Sequence, residues 1–253
     1  MRYSDIKIKK PLFEGGNVFK SPDGNSLTDN IKKQDIPTTI KWLEQITGLS
    51  LAPNLLGSAG RKAVSGDIDI GIDQKIIDKD KFYNILRNWA DSKRLDPRDY
   101  IRKSGISVHF KCPINGTESL GHVQVDFMFS DNLNWLKFVT FGPGDTSKFS
   151  GADRYIAMSS LAKTLGLKLS QTRGLESRTS GNTLTWSPEQ VAKDLIGGDS
   201  KMDDLSSVET IIACLKRNHI TGEELHLRLH DFIENIHSRN NVALSTSLTE
   251  LIS

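Results

Sequence analysis

The chain has 253 residues, of which 37% are apolar and 25% are charged, and its formal net charge at pH 7 is +2. This composition excludes a fibre, a solenoid and a disordered tail, and it predicts an ordinary globular protein with a real core. Mean hydropathy is −0.37, and no apolar run approaches the roughly 20 residues of a membrane-spanning helix. We therefore expect no membrane association. Because Cys112 and Cys214 are far apart and in unlike contexts, we also expect reduced thiols, a cytoplasmic location and no disulfide-linked partner.

The first half of the sequence alternates helical and strand patterns, which predicts an α+β fold. Residues 13–30 are rich in Gly, Asn, Ser and Asp and are expected to form a loop. Apolar positions at helical or alternating spacing predict the remaining elements of this half. These are a helix over 36–48, strands over 54–58 and 68–72, a helix over 78–94, and a pair of strands over 106–114 and 123–129.

The second half of the sequence is mainly helical. Ser187-Pro188-Glu189 is typical of a helix start, because serine can cap the helix and proline suits its first position. The other predicted elements of this half are a helix over 152–165, a short polar β-like stretch over 174–186, and two closing helices over about 205–218 and 221–239.

Two aspartates project from the same side of the predicted strand over 68–72. The isoleucines of the run 67–72 share one face, so Asp67 and Asp69 share the other. Like charges at adjacent positions on one side repel, and a divalent cation relieves that repulsion. Asp126 lies on the polar side of the later strand, and it would complete a site with three carboxylates if the two strands are neighbours. Three solvent-facing aspartates without a metal are the alternative interpretation.

A glycine-rich loop precedes the aspartate pair. Gly57-Ser58 combines a residue that lets backbone approach an anion with a residue that offers a hydroxyl and an amide. Arg61 adds positive charge, and Ser65-Gly66 can direct amides at a phosphate immediately before Asp67. The order of phosphate-binding loop and carboxylate pair indicates a site for a nucleoside triphosphate and its metals.

The run from Leu56 to Asp69 resembles the DNA polymerase β-like nucleotidyltransferase superfamily, whose signature is Gly-Ser, a loop and Asp-x-Asp with a later third carboxylate. It is most similar to the family X DNA polymerases, in which the loop carries an arginine pair and ends in Ser-Gly. Phe149-Ser150-Gly151-Ala152-Asp153 is similar to the sugar-contacting turn that leads into the thumb of those polymerases, and residues 187–197 resemble an acidic helix near the end of the thumb. The resemblance covers about residues 40 to 200.

This resemblance implies three regions and two metal ions. The regions are an N-terminal extension (1–35), a nucleotidyltransferase palm with a mixed sheet and flanking helices (36–150), and a thumb-like, mainly helical C-terminal domain (151–253). Asp67, Asp69 and Asp126 would be catalytic and would hold two Mg²⁺ ions, for which Mn²⁺ is a possible substitute.

The resemblance also implies the residues that bind the NTP or dNTP substrate. Phe149 and Gly151 would lie against the sugar and base, and Lys148 is either a phosphate contact or a solvated loop lysine. The residues expected to hold the β and γ phosphates are Gly57, Ser58, Arg61, Ser65 and Gly66.

The acceptor of the transferred nucleotide is the least determined part of this interpretation. A nucleic-acid 3′-hydroxyl, of DNA or RNA, is the first expectation, because residues 81–111 hold eight Lys or Arg against three Asp. A small-molecule or protein hydroxyl, as in antibiotic-modifying and toxin-type relatives, is the alternative. It is favoured by the modest net charge and by an N-terminal region too short for the lyase domain of gap-filling polymerases. A module that binds nucleotides without turnover is the third possibility.

Overall fold

A four-stranded mixed sheet lies at the centre of the first half of the chain. The computed structural model describes residues 17–57, 59–143 and 147–253. The sheet has the spatial order β3 (Asp67–Asp73), β6 (His122–Ser130), β5 (Ser107–Pro113) and β4 (Ile101–Ser104). β3 runs parallel to β6, whereas the other two pairs are antiparallel. The predicted pair β5 and β6 is confirmed, and β4 is an edge strand inside what was expected to be a basic connection.

Two helices cover the apolar face of this sheet, α1 (Ile36–Thr47) and α2 (Lys79–Ser92). Both were predicted, and each has a local reason to begin or end where it does. α1 ends at Gly48, which adopts the left-handed conformation that favours glycine and donates its N–H to the Glu44 carbonyl. Asp78 caps α2 by accepting from two backbone N–H groups of its first turn. The isoleucines of β3 form one buried core with the inward side chains of these helices.

The expected strand over 54–58 is wrong. A single 3-10 turn (Ala52–Asn54) is followed by one isolated antiparallel bridge, between Leu55 and Ile70. Gly57 then turns the chain away with φ +60°, so the pairing does not propagate along β3. A short strand follows instead, β2 (Val64–Ser65), and it pairs antiparallel with β1 (Ile31–Lys32).

The described part of the N-terminal extension lies on the polar face of the sheet. Residues 17–30 are mostly turns, as expected, with one isolated bridge between Lys20 and Ser26. Phe19 is 2% exposed and receives the Arg102 guanidinium over its ring. The Val18 N–H donates to Oε1 of Gln124 on β6 at 2.8 Å. The remainder of the predicted extension, residues 1–16, lies outside the described residues.

The second half is mainly helical, as predicted, with a small antiparallel sheet. The sheet consists of β7 (Leu167–Ser170), β8 (Gly174–Ser177) and β9 (Thr183–Thr185). The long closing helix expected over 221–239 breaks at Leu229, where ψ is 11°, and a further helix follows it. The helices of the described chain after α2 are α3 (Pro97–Tyr100), α4 (Leu133–Val139), α5 (Gly151–Thr164), α6 (Pro188–Leu195), α7 (Val208–Arg217), α8 (Gly222–Arg228), α9 (His230–Ser238) and α10 (Val242–Ile252).

The described chain is α+β and has two buried apolar clusters. The first lies between the mixed sheet, α1 and α2. The second is built from the C-terminal helices, and it also contains Leu56, Trp135 on α4 and Phe149. Residues before the predicted boundary at 150 therefore pack with the C-terminal core, and the three-domain division stays a prediction.

Among the described residues, no helix combines the length and the apolar character needed to cross a membrane.

Candidate metal centre

Three aspartates meet on the polar face of the mixed sheet. The parallel register of β3 and β6 places Asp69 directly opposite Asp126, with Asp67 opposite Gln124. One carboxylate oxygen from each of Asp67, Asp69 and Asp126 lies within 4.8 Å of the other two. The condition stated from the sequence, that the two strands be neighbours, is therefore met.

Alternation along the two strands puts these carboxylates on one face. Ile68 and Ile70 are fully buried on the opposite face, whereas Asp67 and Asp69 are half-buried. On β6, Val125 and Phe127 are likewise buried and flank Asp126 in sequence. A shift of either strand by one residue would bury the carboxylates in the apolar core, so the hydrophobic pattern determines the register.

Burial and mutual repulsion perturb the acidity of this cluster. Burial, and then the charge of Asp126, raise the pKa of Asp67 to about 6. Burial raises the pKa of Asp69 well above its usual range, and the charges of Asp67 and Asp126 raise it further. Among the described residues neither Asp67 nor Asp69 forms an ion pair with Lys or Arg. The site therefore concentrates negative charge without a lysine or arginine to balance it.

Asp126 is held from two sides. Nδ1 of His109, on β5, lies 2.7 Å from Oδ1 of Asp126, and Nε2 of Gln124 donates to Oδ2 at 3.1 Å. Nδ1 donates to the carboxylate oxygen, which accepts. The other ring nitrogen of His109, Nε2, lies 2.8 Å from the Ser104 hydroxyl oxygen, within hydrogen-bond distance. These contacts fix the orientation of the third carboxylate.

His109 was not among the site residues predicted from the sequence. A signal for it exists, because Val108 and Phe110 are apolar and His109 lies between them on the polar side of a predicted strand. What the alternation cannot give is the antiparallel register that places His109 opposite Asp126.

The donor set suits a divalent cation that prefers oxygen ligands. Three carboxylates with unbalanced charge and close oxygens fit Mg²⁺ or Mn²⁺, and no thiol or second histidine accompanies them in the described cluster. Asp67, Asp69 and Asp126 are the residues that would hold it.

The glycine-rich loop contacts this cluster directly. A Cβ on Gly57 would lie 2.8 Å from Oδ2 of Asp69, so the absence of a side chain allows the turn to close over the carboxylate. The Ser65 hydroxyl is buried and has no hydrogen-bond partner among the described residues. Gly66 immediately precedes Asp67 on the chain. Ser58 lies outside the described residues.

Arg61 reaches the segment that leads to the C-terminal helices. Its Nη1 donates to the Gly142 carbonyl at 2.8 Å, and its guanidinium lies 4.1 Å from the centre of the Phe141 ring. Gly151 packs against the same segment, since a Cβ there would lie 2.9 Å from the Phe141 carbonyl oxygen. The structure thus gives Gly151 a packing role at this crossing.

Two further residues expected to bind the nucleotide are engaged with the C-terminal helices. The Lys148 ammonium donates to the Ser247 hydroxyl on α10 at 3.1 Å. Phe149 is 2% exposed, and its ring meets that of Phe232 at 5.9 Å. The Phe149 side chain has no free face for a sugar in this arrangement, so its expected role differs from its observed one, which is core packing.

The basic stretch over 81–111 is partly neutralised. Half of its eight cationic side chains pair with aspartates, two of which lie just before the stretch. The pairs are Lys81–Asp78, Arg87–Asp91, Arg98–Asp96 and Lys103–Asp80. The local excess of positive charge is smaller than the sequence count suggests.

No family model matches the chain, and no curated protein matches it.

Proposed function

We propose that this chain is a metal-dependent nucleotidyltransferase that transfers a nucleoside monophosphate from an NTP or dNTP to a hydroxyl group and releases pyrophosphate. The observation that carries the proposal is the group of three carboxylate oxygens within 4.8 Å, closed on one side by a glycine turn in contact with Asp69. A polymerase β-like palm, followed by a thumb-like region, is the fold that this proposal implies.

The residues of the site would have two different roles in the reaction, metal binding and orientation of a metal ligand. Asp67, Asp69 and Asp126 would hold two Mg²⁺ ions, which supply Lewis-acid activation of the acceptor hydroxyl and charge neutralisation of the leaving pyrophosphate. His109 and Gln124 keep Asp126 in a single orientation. In the transfer itself, the hydroxyl oxygen forms a bond to the α-phosphorus, the bond from that phosphorus to pyrophosphate breaks, and the hydroxyl proton passes to water.

The glycine-rich loop would bind the triphosphate. Gly57 would let the backbone approach the triphosphate, and Ser65 has a buried hydroxyl with no partner among the described residues. Arg61 has a guanidinium that now bonds a backbone carbonyl, and a phosphate is a stronger partner for it than a neutral carbonyl. Ser58 and Gly66 belong to the same proposed loop.

For the acceptor, a nucleic-acid 3′-hydroxyl remains the first candidate, supported by the basic stretch over 81–111. A small-molecule or protein hydroxyl is the second candidate, and two observations favour it. Four cations of that stretch are already paired, which leaves fewer of them for a nucleic-acid backbone. Residues 17–30 lie on the polar face of the sheet near Gln124, which leaves less of that face open to a large acceptor.

The test is nucleotide transfer by the purified chain with Mg²⁺ or Mn²⁺ and each labelled NTP and dNTP. Acceptors are single-stranded, duplex and tRNA-like nucleic acids, aminoglycosides and the protein itself. The Asp67→Ala/Asp69→Ala variant should lose all transfer, whereas Asp73→Ala, at the end of the same strand, should keep it. The class of labelled product identifies the acceptor. Absence of carboxylate-dependent transfer to every acceptor would reduce the proposal to a nucleotide-binding module.

A further inference from the structure

A polar cavity of about 240 Å³ lies beside the carboxylate cluster. One wall comes from the N-terminal segment and includes Thr28 and Asn30. The opposite wall comes from the sheet, where Asp67 begins β3, Gly66 immediately precedes it and Gln124 lies on β6. Asp67 therefore belongs both to the cavity and to the group of three carboxylates. Through Asp67, the cavity borders the site of the proposed reaction.

Hydrogen bonds within the N-terminal segment hold its wall in place. The Asn17 side-chain amide donates to the hydroxyls of Ser26 and Thr28, and the Ser26 hydroxyl accepts the Thr28 N–H at 3.1 Å. The Val18 N–H ties the segment to the Gln124 side chain at 2.8 Å. These hydrogen bonds hold the polar side chains of the cavity wall at defined positions.

Several polar groups of this cavity have hydrogen-bonding capacity left over. The Asn30 side chain makes no hydrogen bond with any other described part of the chain. The Thr28 hydroxyl accepts from Asn17, which leaves its own proton to donate. Gln124 uses one N–H of its amide on Asp126, and the second N–H remains. These groups offer donors and acceptors together, which is what sugar hydroxyls require.

The charge of the cavity selects against phosphate. Asp67 is the charged residue of its described lining, and no lysine or arginine contributes to that lining. A phosphate placed there would find no lysine or arginine in the lining to bind it. Arg61, by contrast, supplies a cationic side chain on the proposed triphosphate side. Gly66 borders both sides and has no side chain, so the two sides differ in the polar and charged side chains that they offer to a ligand.

We infer that this cavity is the acceptor subsite and that it binds a neutral sugar ring, with Asn30 and Thr28 bonding the sugar hydroxyls. The inference rests on the proposed nucleotidyl transfer. It narrows the acceptor to a hydroxyl carried by a sugar, which is either the terminal nucleoside of an oligonucleotide or a small glycoside. Both sources present the same ring and hydroxyl chemistry to these side chains.

The experiment measures binding separately for the two substrates. The full chain is titrated with Mg²⁺ and an α,β-methylene NTP analogue, and then with neutral probes detected by saturation-transfer NMR. The probes are ribonucleosides, deoxyribonucleosides, methyl glycosides and a short oligonucleotide with a free 3′-hydroxyl. Asn30→Leu and Thr28→Val remove the polar groups at similar volume. Asn25→Leu is the control, because Asn25 is an exposed residue of the same segment outside the cavity lining.

Each cavity variant should weaken binding of the preferred probe by roughly 3- to 10-fold. Affinity for the NTP analogue should stay within about twofold of wild type for all three variants, which also shows that they fold. Preference for the oligonucleotide or for a glycoside distinguishes the two sources of sugar. Wild-type binding of every probe by both cavity variants, or no binding of any probe by the wild type, overturns the inference. If the wild-type chain did not bind the NTP analogue, that result would instead count against the proposed function, whatever the sugar probes show.

Discussion

Gly57 shows how one residue without a side chain shapes the centre. Its φ of +60° is in the left-handed region that favours glycine, and its backbone closes against the Asp69 carboxylate. Gly60, three residues later, has a similar φ of +76° but has no atom within 4 Å of its Cβ position. Alanine substitutions at Gly57 and Gly60 therefore distinguish two contributions to the free energy of unfolding, the strain of a positive φ and the contact with Asp69.

We expect Gly60→Ala to destabilise the protein by about 1 kcal/mol, because it places alanine at positive φ, and Gly57→Ala to destabilise it by more, because its methyl also meets Asp69. In Gly57→Ala alone, the added methyl displaces Oδ2 of Asp69, so Mn²⁺ affinity and nucleotide transfer should fall at least tenfold. Thermal unfolding checks the first statement, and Mn²⁺ titration followed by electron paramagnetic resonance checks the second. Equal Mn²⁺ affinities in the two variants would contradict the assigned contact.

The raised pKa values of Asp67 and Asp69 predict that the stability of the folded chain depends on pH. The pKa of Asp67 is about 6 in the folded chain and about 3.9 in an unfolded one, so the folded state holds more protons between these values. The contribution of protonated Asp67 to the free energy of unfolding is fully present below pH 4. This contribution, about 2 to 3 kcal/mol, is lost as the pH rises through 6. Metal-free Asp67→Asn should therefore be more stable than wild type at pH 8.

Thermal unfolding at pH 5 and pH 8, with and without Mg²⁺, measures this effect. Mg²⁺ should raise the Tm of the wild type at pH 8 and should act less at pH 5, where protons compete for the carboxylates. Asp73→Asn is the control, since Asp73 ends the same strand but does not belong to the cluster. A wild-type Tm that does not respond to Mg²⁺ at pH 8 would argue against a metal centre.

At the scale of the elements, strand register assembles the site. Parallel pairing puts Asp69 opposite Asp126, and antiparallel pairing puts His109 opposite Asp126 from the other side. Arg102 on β4 is in turn opposite His109. One row of polar side chains therefore crosses all four strands, while the residues before and after it on β3, β6 and β5 pack into the apolar core. The row depends on every strand pair at once.

His109 is predicted to position Asp126 for catalysis. In His109→Phe the carboxylate loses its donor at 2.7 Å, and we expect kcat for nucleotide transfer to fall roughly tenfold. KM for the NTP should change by no more than about twofold, because His109 does not belong to the proposed phosphate-binding loop.

His109→Gln keeps an amide donor and should retain more turnover than His109→Phe. The control is His122→Phe, which removes a histidine bonded to Glu118 at 2.7 Å and should leave kcat near wild type. Steady-state kinetics at fixed pH measures all four proteins. If both His109 variants transferred nucleotide at the wild-type rate, Asp126 would not need this partner.

At the scale of the whole molecule, the linking segment at Phe141 joins the sheet side to the helical side. The Arg61 guanidinium lies over the Phe141 ring at 4.1 Å, and Arg154 of α5 approaches the same ring at 5.6 Å. Arg154 is 1% exposed and donates to the carbonyls of Phe138 and Leu205. Burial lowers its pKa to about 9, so it remains charged at neutral pH.

Arg154→Met should destabilise the chain by about 2 kcal/mol or more, because it leaves the buried Leu205 carbonyl without its donor and removes the charged donor of the Phe138 carbonyl. For a chain of this length that corresponds to a fall in Tm of roughly 4 to 8 °C. Arg87→Met is the matched control, since its pair with Asp91 is more than half exposed at 3.7 Å and should contribute under about 1 kcal/mol. Calorimetric unfolding of both variants checks the prediction, and equal Tm values would contradict it.

The sequence by itself determined the α+β class, most of the elements and the polar side of each site strand. Local periodicity depends on neighbours in the chain, so α1, α2 and β3 could be predicted from the spacing of their apolar residues. The carboxylates Asp67, Asp69 and Asp126 were identified for the same reason, because alternation assigns each of them to the polar face of its strand.

Only the tertiary structure decided which strands are neighbours and what lies on their polar face. Pairing register depends on contacts between residues far apart in the chain, and this is why His109 was missed and the strand over 54–58 was wrong. The placement of Phe149 in the C-terminal core is likewise a long-range packing result. The cavity beside Asp67 exists because Asn17 holds the N-terminal segment together and the Val18 N–H joins that segment to Gln124 on β6, and no local pattern encodes the second contact.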